Sequence, residues 1–170
     1  MDIERALLKE HSKAQILKIV RWIGTDPERL GCLMTLFFTG EPIVVQRGAW
    51  VIGTIADTHP ELFIPWLGKL LPMVTKRGVH DAVKRNIVRL LQVIEIPDRL
   101  SGRVVSLCFD LLSSSDEPIA VKVYAMTVIA RFTAAEPDLE RELRLLIEMQ
   151  LPRASGAFRS RAKKLLKMKH

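Results

Sequence analysis

Apolar residues return along this chain in one fixed figure. After Asp26-Pro27-Glu28 they are Leu30, Met34, Phe37 and Phe38, and after His59-Pro60-Glu61 they are Phe63, Leu67, Leu70 and Leu71. After Ile96-Pro97-Asp98 come Leu100, Val104, Leu107 and Cys108, and after Glu136-Pro137-Asp138 come Leu139, Leu143, Leu146 and Ile147. Offsets of 0, 4, 7 and 8 put all four side chains on one face of an α-helix. Each proline with an acid behind it starts such a helix: the ring fits the first turn and the carboxylate faces the positive helix end.

A second set with the same offsets lies between these helices. It reads Val45, Ala49, Ile52, Gly53; then Val83, Ile87, Leu90, Leu91; then Val121, Ala125, Val128, Ile129; then Phe158, Ala162, Leu165, Leu166, with a fainter early copy at Ile16, Val20, Ile23 and Gly24. The step from Val45 to Val83 to Val121 is 38 residues each time, and to Phe158 it is 37. One such match arises by chance about once in twenty at this apolar content, so several in phase mark a true repeat. Glu41-Pro42-Ile43 recurs as Glu117-Pro118-Ile119, again with proline opening the helix. No sustained period-two run suggests a strand.

The pattern predicts an all-α chain of about five antiparallel helix pairs. The first helices cover roughly 2–10, 26–39, 60–75, 98–114 and 137–152; the second helices cover roughly 12–24, 42–58, 79–95, 117–135 and 155–169. The repeats fall at about 1–25, 26–58, 59–95, 96–135 and 136–170 of one domain, 1–170. No pair can bury its apolar face alone, so stacked pairs must share a core.

The second helices open with Val45-Gln46, Val83-Lys84, Val121-Lys122 and Phe158-Arg159. In this the chain resembles the HEAT repeat, whose second helix opens with Val and a basic residue followed by Ala and Leu. The resemblance spans nearly the whole chain. It implies a right-handed α–α superhelix, a HEAT-like solenoid, whose second helices line the concave surface, and it implies a binding scaffold rather than an enzyme. Two departures stand out. The turn Asp that pairs with the basic residue is present only as Asp116; Gly40 and Gly78 occupy the equivalent places. A proline bending the first helix occurs only in the third pair, as Pro65, with Pro72 beyond it, and predicts a kink there.

Charge adds to this picture. The chain carries a formal +7, of which the second helices hold +11 and the first helices −4. With the family's geometry this implies a basic groove and an acidic back. The candidate partner-binding residues are Arg47, Trp50, Lys84, Arg85, Arg89, Lys122, Arg131, Arg159, Lys163 and Lys164. Gln46, Lys84, Lys122 and Arg159 should form one column, and Asp116 is the expected partner of Lys122. The leading expectation is a partner protein or peptide; the alternative is nucleic acid, held by phosphate contacts. Leu165, Leu166 and Met168 on the last helix, beside a short first pair, also leave room for a homodimer.

Other chemistry finds little support. Trp50 and Asp57 lie seven apart on one helix, as a base-cradling glycosylase would need, but Trp66 sits on a first helix and cannot add a second groove aromatic. His11, His59, His80 and His170 lack companions at metal-ligand spacing, and His59 and His80 read as caps or surface residues. There is no phosphate-binding Gly-rich loop and no recognisable nucleophile–His–acid order, so no catalytic residue, metal or cofactor is expected. Cys32 and Cys108 each sit in an apolar run and are expected to be buried free thiols, in keeping with a reducing, cytoplasmic setting. No apolar leader opens the chain, and no run of about 18 uncharged apolar residues predicts a membrane span.

Overall fold

A computed structural model describes residues 1–167. The described chain is helical throughout and holds no strand. Its elements are α1 (Ile3–Lys9), α2 (Lys13–Ile23), α3 (Pro27–Thr39), α4 (Pro42–Ala56), a 3-10 segment (Pro60–Trp66) leading into α5 (Leu67–Thr75), and α6 (Asp81–Leu91). They continue with α7 (Asp98–Ser113), α8 (Ile119–Ala130), α9 (Pro137–Gln150), a 3-10 turn (Leu151–Arg153) and α10 (Gly156–Lys167). Met168 and His170, which entered the sequence reading, lie outside the described residues.

The helix starts follow local chemistry. Pro27, Pro42 and Pro137 take the first helical position, where a missing N–H costs nothing. Asp26 Oδ1 accepts from the Glu28 and Arg29 N–H groups, Ser12 Oγ from Gln15 N–H and His80 Nδ1 from Ala82 N–H. Around Pro65 the backbone is not a regular α-helix: it winds as a 3-10 segment from Pro60 to Trp66 and becomes α-helical from Leu67. α6 and α8 end earlier than the periodicity suggests. Their last turns tighten, with Gln92 N–H donating to Arg89 O and Arg131 N–H to Val128 O.

The helices group into two compact units, Met1–Glu95 and Ile96–His170. In the first, α4 is the central helix and touches α1, α2, α3, α6 and the 3-10 segment. Its Val44, Ala49, Val51, Ile52 and Ile55 are all buried, so it turns apolar side chains to several neighbours at once. In the second, α8 packs against α7, α9 and α10 and buries Val121, Val123, Ala125, Met126, Val128 and Ile129. Each fully buried aliphatic side chain contributes roughly 1.5–3 kcal/mol.

Most of the predicted core positions are buried; Val20, Phe38, Val45, Leu139, Leu146, Leu165 and Leu166 are half-buried, and Gly24 is an exposed helix cap. One expectation fails: Cys32 is exposed. It lies beside the inward face of α3, which is set by Leu30, Leu33, Met34 and Phe37. Cys108 is buried, and that burial pushes its thiol up to about 12, which leaves it protonated and unreactive.

Two buried polar contacts fix the packing. At the α4–α6 crossing, a Cβ on Gly53 would run into the Asn86 side chain, so the helices approach closely only because Gly53 has none. Asn86 is itself buried, and its Nδ2 donates to Ala82 O at 2.8 Å. In the second unit Lys122 on α8 donates from Nζ to Gln150 Oε1 on α9 at 2.9 Å, and Gln150 Nε2 donates to Leu112 O on α7, also at 2.9 Å. One glutamine thus joins three helices.

Gly53→Ala should destabilise the protein by about 1–3 kcal/mol in urea unfolding, and Asn86→Ala in the same chain should recover part of the loss. Strictly additive costs would show that the two residues do not meet. Gln150→Ala should cost about 1–3 kcal/mol, because it strands a buried ammonium and a carbonyl. Lys122→Met should cost less, since it removes the buried charge together with its bond; an equal or larger loss for Lys122→Met contradicts this.

Candidate protein-interaction site

Cations on buried helices need oxygen partners, and in this chain several find them at helix ends. Arg47 on α4 is half-buried and donates from Nη1 to Leu7 O at 2.7 Å and Leu8 O at 3.2 Å, closing off the carbonyl end of α1. Arg89 on α6 holds both oxygens of Asp57, the residue that ends α4, at 2.5 and 2.7 Å. Arg159 on α10 donates from Nε to Ala154 O at 3.0 Å and from Nη2 to Pro152 O at 3.4 Å, bracing the turn before its own helix. Arg161 reaches Thr127 Oγ1 on α8 at 3.1 Å.

Lys122 is buried, which corrects the expectation that it pairs with the turn acid. Its partner is Gln150, and Asp116 accepts instead from Ser115 Oγ at 2.9 Å. The reason lies in α8, which is apolar nearly all round and leaves Lys122 no wet face. The four residues expected to form a column have different surroundings: Gln46 and Lys84 are half-buried, Lys122 is buried and Arg159 is exposed. Arg85, Arg131, Lys163 and Lys164 are exposed, and partial desolvation lowers the Arg131 pKa. Trp50 is half-buried and sits edge-on to the His11 ring, centroids 5.2 Å apart, so it is not an open stacking shelf. Asp57 is tied up by Arg89, so the Trp50–Asp57 pair does not present a waiting base.

One half-enclosed, mostly apolar recess of the first unit was not visible in the sequence. It is a cleft of about 550 Å³ between the α3–α4 turn and the α5–α6 turn. Gly40, Pro42, Ile43, Val45 and Gln46 form one wall. Met73, Lys76, Arg77, Gly78, Val79, His80 and Val83 form the other. Two tight turns shape its walls. Gly78 takes φ +74°, a left-handed conformation that favours glycine, and Val79 N–H donates to Lys76 O at 3.1 Å. A Cβ on Gly40 would meet Leu36 O and Val44, which keeps the opposite turn tight. Ile43 is 40% exposed, and Lys76 and Arg77 are exposed at the rim. The sequence signal that could have pointed here is the Lys76-Arg77-Gly78 turn.

Among the described residues no group of three or more His, Cys, Asp or Glu side chains could hold a metal ion, and no helix is long and apolar enough to cross a membrane. A family model described as a HEAT repeat domain matches residues 3–169. No curated protein and no solved structure matches the chain. Paired helices of this length, central second helices and a match over nearly every residue lead to one assignment: the chain belongs to the HEAT-repeat domain family.

Proposed function

We propose that this protein is a non-enzymatic scaffold that binds a segment of a partner protein, and that the cleft between the α3–α4 and α5–α6 turns is where it does so. HEAT repeats generally act as protein-interaction scaffolds. The single observation that supports the reading is the cleft itself: a preformed recess with exposed Ile43 at its mouth and two cations on its rim. Its volume lies within the range of about 300–1,000 Å³ typical of ligand-binding recesses.

The other reading, nucleic acid along the basic second helices, loses weight because Arg47, Arg89, Lys122 and Arg159 serve the chain's own packing. What favours it is the exposed Lys163, Lys164 and Lys167 on α10. So few phosphate contacts would bind weakly, with a shallow salt slope of about 0.9 log unit per log unit of salt for each contact.

A photo-crosslinking amino acid placed at Gln46, in the cleft, should give a protein adduct of defined mass in a lysate of the source cells. The same probe at exposed Glu142 on α9 should not, and Ile43→Arg should abolish the Gln46 adduct. The preparation should give no mobility shift with duplex DNA at low salt. Equal adducts from both positions, or a DNA complex without any adduct, would overturn the scaffold reading.

A further inference from the structure

The cleft also constrains what can occupy it. Its lining includes aliphatic side chains on both sides: Ile43 and Val45 on one wall, Val79 and Val83 on the other. Its rim is cationic, with Lys76 and Arg77 exposed in the turn that closes α5. No acidic residue among the described residues lines it; Glu41 and Asp81 stand next to lining residues in sequence and stay outside. Glu41 at the N-cap of α4 and Asp81 in the first turn of α6 answer the positive ends of those two helices, so the positive charge at the cleft is that of Lys76 and Arg77 on the rim.

We infer that the cleft takes an acidic peptide segment, with an aliphatic side chain seated over Ile43, Val45 and Val79 and flanking carboxylates on Lys76 and Arg77. This rests on the scaffold reading and narrows it to one class of partner. Charge decides the choice. A basic segment would bring like charges against two rim cations, and complementary charge at such rims governs which partner is accepted. The aliphatic lining decides against a small free anion, which would leave Ile43 and Val79 exposed to water. A short segment fits better than a folded domain, because the recess is bounded by two turns rather than by a flat face.

The test uses the full chain and three fluorescein-labelled synthetic peptides read by anisotropy. The first alternates Leu with Asp and Glu; the second carries Lys in place of the acids; the third carries Ser in place of Leu. The first should bind about tenfold or more tighter than the others, and its affinity should fall with added salt. The double variant Lys76→Glu with Arg77→Glu should weaken it about tenfold or more, as should Ile43→Ser, with unchanged circular dichroism. Equal binding of the Lys peptide, or indifference to the charge reversal, overturns the inference. If no peptide binds while the Gln46 adduct persists, the acidic occupant is wrong and the scaffold reading survives; loss of both sinks both. Self-association in sedimentation that the charge reversal abolishes would give the cleft to a second copy of the chain, against the inference.

Discussion

An amphipathic helix pair about 30 residues long cannot remove its own apolar face from water, and that shortage of partners shapes this molecule. It is met by burying the second helix of a pair on more than one side. α4 is covered by α1, α2, α3 and α6, and α8 by α7, α9 and α10. A helix in that position has little room for charge. Ile119–Ala130 contains one charged residue, Lys122, and the fold must supply it with Gln150.

The same constraint assigns work to the other cations. Burying helix ends leaves carbonyls without donors, and long arginine side chains reach them. Arg47 covers the end of α1, Arg159 the turn before α10, and Arg89 clamps the carboxylate at the end of α4. A charge difference between the two sets of helices, read from sequence as a groove for an anionic ligand, thus reflects internal bonding as much as display. At the cleft, Lys76 and Arg77 sit in a turn, beside apolar side chains that line the same recess.

Much of the fold was legible because it depends on spacing. Apolar offsets and prolines locate helix faces to within a residue or two at most ends, and Pro65 announces its 3-10 segment. Cys32 misled because an apolar neighbourhood in sequence is not an inward position on a helix; Leu30, Leu33 and Met34 define the face and Cys32 falls beside it. The candidate site was less legible. Arg47 finds Leu7 O across 40 residues, and no local pattern encodes that contact. The cleft arises from two turns brought side by side by α4 and α6, whose close approach depends on Gly53 facing Asn86. A glycine at a core position of the second repeat was the trace of that approach, and a lone asparagine among Val83, Ile87 and Leu90 was its counterpart.

Native-state hydrogen exchange tests the central claim most directly, since amides in the most enclosed helices open last. Slowest exchange in Val51–Ala56 of α4 and Val121–Ile129 of α8, each within its own unit, with α1 and α10 exchanging first, is the result the account predicts. Exchange in α4 and α8 as fast as in α1 and α10 would contradict it.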